Sequence, residues 1–517
     1  MLAGQLPGPW PTHWASFKAA AAAWHGRRRD GHTVLIVLLL FVLVWTCFQI
    51  IVFSAIGVHD DLTEVFVWSR HPAAGYHKHP PLAGLIATAW FAVFPVAEWS
   101  FYLLAMVNSA VALFAIDRIA RRYLDGDKRL LVLYLLLLTP FHQFHGERFS
   151  TNQTLLSTWP IATYCFLRAF ETRALAWSAF AGITAALAML GKYYSIYLLA
   201  GFVAAIVSHP RRWDYIRSAA PWVTIGCGIA VLAPHLHWLA VTAGPTPVRY
   251  AMSVHGTLSR WEEFVATLEY AAGGLAYVAF PVAAYLATVR PDRRVLAAAL
   301  WPDDPDRRML VVLLAVPLLL PVLTAPLIGV KLTSLWTMSG WFLLPIILLV
   351  PPAISPPRVA MIRVPVAVAL ITVAVLAAAP MIAWQNYLRE SRHGQVYYRP
   401  ASAELTRAWH AKMRGPLAIV SGDLLLAHAV SFYSPDHPDA AVDEPLPSVA
   451  WIKDDRRARL GWAAACFAND RGCVDRIERN AAGAAGVVRV EKELTVSFFG
   501  RWKNAEPLVF LLIPPQR

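Results

Sequence analysis

The chain has 517 residues, of which 57% are hydrophobic and only 15% charged, with a mean hydropathy of +0.47. A soluble domain is nearer one quarter charged, so these figures exclude an ordinary soluble protein and indicate an integral membrane one. The net charge of +13 would suit a nucleic-acid partner, but its distribution along the chain excludes that reading.

Residues 1–32 contain prolines and end in Arg27-Arg28-Arg29 just before the first apolar run. That run is too long for the core of a signal peptide, and the arginines should hold residues 1–32 in the cytoplasm. Apolar runs near the roughly 20 residues that a bilayer requires follow at 33–55, 98–117, 130–146, 153–170, 174–190, 193–208, 219–240, 265–289, 309–327, 333–351 and 364–384. With this division, the groups Arg118/Arg121/Arg122/Lys128/Arg129, Arg211/Arg212/Arg217, Arg290/Arg293/Arg294/Arg307/Arg308 and Arg358/Arg363 share the cytoplasmic side. The opposite loops carry only Arg70, Lys78, Arg148, Lys192, Arg249, Arg260 and Lys331. This is the positive-inside asymmetry, so topology accounts for most of the charge. The run 80–95 is excluded as a span, because counting it would reverse that asymmetry. It is expected as a helix of about 16 residues lying in the interface, opened by Pro80-Pro81.

The first outer loop, 56–97, places Asp60, Asp61 and Glu64 just beyond the first span, with Lys78-His79-Pro80-Pro81-Leu82 close behind. Ionisable groups at a membrane boundary are costly unless solvated, paired or used. A helix would put Asp61, Glu64 and Trp68 on one face and Asp60 on another. A solvated loop with a capping Asp is the plainer alternative. The acidic and basic clusters together suit a site that deprotonates one substrate and holds the phosphate of another.

Further along, His142, His145, Glu147, Arg148, Asn152 and Gln153 interrupt two apolar runs, more polar residues than a turn requires. Glu147 beside Arg148 also reads as a neutralising pair, and Asn152 can donate and accept hydrogen bonds but cannot act as a base. Gly191-Lys192-Tyr193-Tyr194 breaks another helical hairpin. Its lysine either snorkels to the headgroups or offers an ammonium to a lipid phosphate. Lys331, ahead of Trp336 and Trp341, has the same two readings, and the loop with Arg249, Tyr250, His255 and Arg260 is long enough to close over a substrate.

The tail, 385–517, is ordinary in composition and reads as one soluble domain outside the cytoplasm. A helix is expected over 399–413, a strand and turn over Pro416–Asp423, a helix over 424–433, and strands over 487–490 and 507–513, together an α/β domain. Cys466 and Cys473 lie in this tail, where a disulfide is chemically permitted. Walker, His-Glu-x-x-His and Gly-x-Ser-x-Gly motifs are all missing.

The stretch Asp60-Asp61-Leu62-Thr63-Glu64…Trp68-Ser69-Arg70…Gly75-Tyr76-His77-Lys78-His79-Pro80-Pro81-Leu82 resembles the first outer loop of bacterial relatives of dolichyl-phosphate-mannose protein mannosyltransferases. These include the lipid A aminoarabinose and galacturonic acid transferases of the GT-C membrane fold. Asn152-x-x-Leu155 with Trp159-Pro160, Leu190–Tyr194, Ala233-Pro234-His235 and Ser421-Gly422-Asp423…Phe432–Pro435 are similar as well. The resemblance implies an all-α polytopic membrane protein, of about eleven spans plus interfacial helices in the first outer loop, with a C-terminal soluble α/β domain. Its divisions are 1–32, 33–384 and 385–517.

By the same resemblance, the protein moves a sugar from a polyprenyl-phosphate donor to a glycolipid or protein acceptor on the periplasmic face of a bacterial inner membrane. Asp61 is the implied base, with Glu64 in place of the second acid that Leu62 lacks. Asp60, Tyr76, Lys78, His79, Arg148, Asn152, Lys192, Tyr193, Arg249 and Lys331 are the implied substrate-binding residues. Asn152 stands where relatives carry Asp, which weakens any two-carboxylate or metal-assisted scheme. No cofactor or metal ligand set is expected, and divalent-metal dependence stays open. A lipid or sugar transporter would need charges deep within spans, and here they cluster at the ends. A non-catalytic scaffold whose tail binds partners is the other alternative.

Overall fold

The computed structural model describes residues 32–243, 250, 259–328, 330–389, 392–441 and 454–516. A helical body occupies the first three quarters of the chain. Its long helices are α1 (His32–Val52), α4 (Glu98–Ala120), α6 (Thr151–Thr172), α7 (Leu175–Gly191), α8 (Ile196–Ser208), α10 (Ala220–Trp238), α11 (Arg260–Val289), α13 (Pro305–Ile328) and α15 (Arg358–Leu388). Six helices among the described residues are long and apolar enough to cross a membrane: His32–Val52, Glu98–Ala120, Ala220–Val241, Trp261–Val289, Pro305–Leu327 and Arg358–Leu388. They and their neighbours pack in a chain of contacts, α1 on α4 and α15, α4 on α6, α6 on α7, α7 on α10, and α8 on α13.

Two of the expected runs are not single helices. Over 130–146, α5 (Gly126–Leu136) stops short and a π-helical turn, Phe141–His145, follows Pro140. Proline cannot donate to a helix ladder, and π turns mark irregular, often functional, places. Over 333–351 the chain makes two 3₁₀ turns, Ser334–Ser339 and Trp341–Leu343, before α14 (Leu344–Leu349). Short helices α9 (Arg212–Ile216) and α12 (Arg293–Leu300) join longer ones.

Residues 56–97 contain two helices, α2 (Asp60–Arg70) and α3 (Leu82–Phe91), packed on one another. At about 1.5 Å per residue, α3 is half the length needed to cross the hydrocarbon core. Gly57, with φ +81°, turns the chain out of α1, a conformation that suits glycine.

The tail is a five-stranded sheet in the order β2-β1-β3-β7-β4. Its strands are β1 (Ile419–Gly422), β2 (Asp439–Ala440), β3 (Trp462–Phe467), β4 (Val488–Leu494) and β7 (Glu506–Ile513). β2, β1 and β3 run parallel, β7 runs antiparallel to β3, and β4 runs antiparallel to β7. Helices α16 (Tyr398–Lys412), α17 (Leu424–Tyr433), α18 (Asp454–Leu460) and α19 (Arg471–Ala481) accompany the sheet, and β5 (Ser497–Phe498) and β6 (Arg501–Trp502) form a separate hairpin. Cys466 on β3 and Cys473 on α19 are disulfide-bonded.

The tail is fastened to the loop that follows α1. Helix α17 packs along α2, with Phe66 and Phe432 edge to face at 5.3 Å. The Val58 N–H donates to the Tyr433 hydroxyl at 2.8 Å, and Gln395 Nε2 donates to the Val58 carbonyl at 2.7 Å. Tyr433 in turn donates to Glu98 Oε1 at 2.6 Å, and Arg399 grips the same carboxylate at 2.7 and 2.5 Å. Asp439 meets Arg70 and His71 at 3.2 Å each and Arg456 at 2.5 Å. Burial alone would raise the Asp439 pKa, but His71 and Arg456 hold its carboxyl well below the usual range.

Tyr433→Phe leaves the Val58 N–H without its acceptor and takes from Glu98 Oε1 one of its two donors, Arg399 remaining. Such losses cost about 1–3 kcal/mol. A lower melting temperature in detergent, with faster proteolytic release of the tail, is the expected outcome; unchanged values would remove Tyr433 from the docking.

Candidate functional site

Helix α2 begins at His59, whose Nδ1 accepts the Asp61 N–H at 3.2 Å. That nitrogen therefore carries no proton, and its 3.6 Å approach to Asp61 Oδ2 is not an ion pair. Asp60 and Asp61 occupy the first turn, where the helix dipole favours negative charge. The Asp61 side chain is 50% exposed. It faces a cavity of about 570 Å³ shared with Asp60, Glu147, Arg148, Gln395 and Leu425. The floor, with Phe48, Phe144 and Ile382, is apolar, and the tail supplies Gln395 and Leu425.

Glu64, one turn after Asp61, is only 12% exposed and holds Lys78 Nζ at 2.7 Å. Burial pulls the Lys78 ammonium down, but Glu64, with smaller help from Tyr250 and Asp61, carries it above its ordinary value. The loop bearing Lys78 is braced by Tyr76, which is fully buried, stacks on Trp68 at 4.8 Å and donates to the Trp68 carbonyl at 2.9 Å. A side chain at Gly84 would strike the Tyr76 hydroxyl at 2.6 Å, so only glycine lets α3 approach this brace. His79 lies between Trp68 and Tyr250, edge on to each at 5.9 Å. Burial drives His79 well below its ordinary pKa and lowers His77 to about 4, so both are neutral.

Lys192, at the turn after α7, donates to Asn152 Oδ1 at 2.6 Å and lies over the Trp336 ring at 4.2 Å. Burial lowers its pKa to about 7, against the raising influence of Asp61. The Asp61 carboxylate thus acts on both lysines. Neighbouring Tyr193 donates to His235 Nε2 at 2.9 Å, a direction fixed because His235 Nδ1 gives its proton to the Ala74 carbonyl at 2.6 Å. This relay ties the Lys192 turn to the loop of Lys78. Glu147 is pushed up to about 7 by burial, opposed by Arg148, whose Nε is 3.4 Å away.

Of the residues singled out from the sequence, Asp60, Asp61 and Arg148 share the cavity, while Glu64, Tyr76, Lys78, His79, Asn152, Lys192 and Tyr193 form the lysine-bearing half beside it. Lys331 stands apart, its charge acting on Glu262 at the start of α11. Arg249 lies outside the described residues. His235, Trp336 and Gln395 had no assigned role; His235 was at least visible in Ala233-Pro234-His235. Among the described residues no group of three or more His, Cys, Asp or Glu is placed to hold a metal ion.

Residues 78–238 match the family model of dolichyl-phosphate-mannose-protein mannosyltransferase. The chain shares its fold with ArnT from Cupriavidus metallidurans bound to undecaprenyl phosphate, at 12% identity and a TM-score of 0.58, over 93% of this chain and 98% of that one. Apo ArnT from the same organism matches at 12% identity and a TM-score of 0.54, over 95% and 98%. No curated protein matches the sequence. These likenesses define the class: a multi-pass membrane protein with the GT-C fold. Over residues 78–238 the chain is similar to that mannosyltransferase family, and the matched segment includes Lys78, Asn152 and Lys192.

The unfolded chain keeps a lysine proton to about 10.5 and the folded one releases that of Lys192 near 7. Unfolding therefore takes up a proton between those values, and Lys192 makes the fold more stable as pH rises through that window. NMR of reductively ¹³C-methylated protein should show one lysine signal titrating near pH 7 and missing from Lys192→Arg; a signal moving only near 10.5 would contradict the buried position.

Proposed function

We propose that the protein is a membrane glycosyltransferase that moves a sugar, with inversion, from a polyprenyl-phosphate donor to an envelope acceptor on the outer face of the membrane. What carries this reading is Asp61, an exposed carboxylate on a large cavity whose field reaches two buried lysines. In the class-mate ArnT, a structure bound to undecaprenyl phosphate shows that such a fold accepts that lipid.

In this reading an acceptor hydroxyl enters the cavity and loses its proton to Asp61 as its oxygen attacks the anomeric carbon. The new C–O bond forms as the bond from that carbon to the phosphate oxygen breaks, and the electron pair leaves with polyprenyl phosphate. That leaving group is already anionic at neutral pH, so it needs charge stabilisation rather than a proton. Lys192 and Lys78 supply it. Glu64 takes the role of holding Lys78, because a carboxylate already paired at 2.7 Å is poorly placed to be a second base. Tyr76, His79, Asn152 and Tyr193 position the two lysines, and Arg148 serves the acceptor side. The tail closes the cavity with Gln395 and Leu425. Residues 1–32 stay cytoplasmic and the tail periplasmic, with the eleven runs as spans.

Asp61→Asn should lower release of polyprenyl phosphate from a radiolabelled lipid-linked sugar by about 10²–10⁴-fold, the usual scale for a lost general base, while the melting temperature holds. Full turnover in that variant would remove Asp61 from the role. The KM for donor should rise from about pH 6 to about pH 8 as Lys192 loses its proton, and Lys192→Arg, charged throughout, should flatten the profile. A pH-independent KM in the unaltered protein would sink the Lys192 assignment.

A further inference from the structure

The hairpin of β5 and β6 lies outside the main sheet, with Ser497 paired to Trp502 and Phe498 to Arg501. Its tip, Phe499-Gly500, takes left-handed backbone at both residues, φ +47° and +77°. That conformation is unfavourable for a bulky aromatic, yet Phe499 is 74% and Trp502 66% exposed. Phe499 touches Phe498 at 4.5 Å and lies 6.3 Å from Trp384, but the greater part of both exposed rings is left uncovered, and a two-stranded ribbon gains nothing from that in water.

The hairpin is bound to the end of α15, one of the helices long enough to cross the membrane. The Tyr387 hydroxyl, one residue before that helix ends, reaches the Val496 and Arg501 carbonyls at 2.9 and 2.7 Å. Phe498 packs at 5.6 Å from Tyr387 and 6.4 Å from Trp384. Lys503 Nζ donates to the Arg389 carbonyl at 3.2 Å. The rings of Phe499 and Trp502 are thus held at the level where the helix leaves the hydrocarbon. On the same helix Met381 and Leu388 are open to the surroundings, so the apolar surface continues from span to hairpin. Amphipathic aromatic rings belong at that depth, and the cations Arg501 and Lys503 beside them match lipid phosphates.

We propose that this hairpin is a membrane anchor: Phe499 and Trp502 enter the headgroup layer of the bilayer around α15 while Arg501 and Lys503 meet anionic lipid phosphates. The tail is then held over the membrane at two places, by Tyr433 and Asp439 on the first outer loop and by the hairpin on lipid. This fixes the height of Gln395 and Leu425 above the cavity. The proposal concerns placement in the bilayer and does not depend on the chemistry assigned to Asp61.

The test uses the full chain, with Cys47, Cys165 and Cys227 changed to Ser and the Cys466–Cys473 disulfide kept. The protein is placed in vesicles of phosphatidylethanolamine and phosphatidylglycerol. Nitroxide labels are introduced singly by Phe499→Cys, Trp502→Cys and Lys492→Cys, the last an exposed sheet position. Power-saturation EPR should show collision with oxygen favoured over a water-soluble nickel chelate, several-fold more at 499 and 502 than at 492. Each variant keeps one native aromatic ring, so the anchor is not removed by its own probe. An equal ratio at all three positions would overturn the proposal. Shielding of 499 and 502 from both reagents would also overturn it, since a protein partner would then cover the hairpin.

Discussion

Both backbone groups of Val58 are taken by side chains far along the chain, its N–H by the Tyr433 hydroxyl 375 residues on and its carbonyl by Gln395 337 residues on. A buried peptide group must find a partner or cost free energy. Here Val58, in the bend between α1 and α2, finds its partners in the tail. Tyr433 is itself held by Glu98 at the start of α4, and Glu98 by Arg399. One small cluster therefore joins the first span, the loop carrying Asp60 and Asp61, the fourth helix and the tail. The orientation of α2, and with it the direction in which Asp61 faces, follows from that joint. Asp439 and the Phe66–Phe432 contact secure the other end of α2 in the same way.

Charge is distributed beside this joint by a consistent rule. Burying an ion is tolerable when a counter-ion comes with it, and otherwise the group tends to neutralise. Lys78 has Glu64 and stays charged. His77, His79 and, on the tail helix α17, His428 are held neutral by burial, which in His77 outweighs the opposing pull of Glu64 and takes His428 down to about 3. Five basic side chains, with Lys192, thus crowd the region without a matching crowd of positive charge. A phosphate arriving there would meet one paired ammonium and one that titrates near neutrality.

Much of the architecture was legible because it rests on one-dimensional signals. Apolar runs located the long helices to within a few residues, and the run 80–95, set aside as a span on the arginine asymmetry, holds a helix of only Leu82–Phe91. In the tail, the helix at 398–412, the strand before Asp423 and the strand at 506–513 lie close to where periodicity put them. Strand β3 was invisible because Trp462-Ala-Ala-Ala-Cys-Phe467 is rich in alanine, the best helix former. Its place at the middle of a buried sheet overrides that propensity. The breaks at Phe141–His145 and Ser334–Ser339 were missed for the opposite reason, since hydropathy registers burial but not backbone continuity. At the site, residue types near one another in sequence were found, while partnerships across it were not. Nothing in the order of residues shows that Glu64 belongs to Lys78, that Tyr193 leans on His235, or that Gln395 roofs the cavity.

Asn152 shows how one uncharged side chain shapes the electrostatics of the site. An aspartate at that position, 2.6 Å from Lys192, would pair with the ammonium and keep it charged at any physiological pH. Asparagine offers the same oxygen without the charge, so the remaining electrostatic support for Lys192 is the more distant Asp61. The two groups are then linked: whatever neutralises Asp61 weakens the hold on the Lys192 proton. Under the proposed transfer, Asp61 gains a proton at the moment when phosphate gains negative charge. The support that Lys192 loses from the carboxylate is replaced by the leaving group it must stabilise. A fixed Asp–Lys pair would have had to be broken to do the same work, so the asparagine leaves Lys192 available to the donor phosphate.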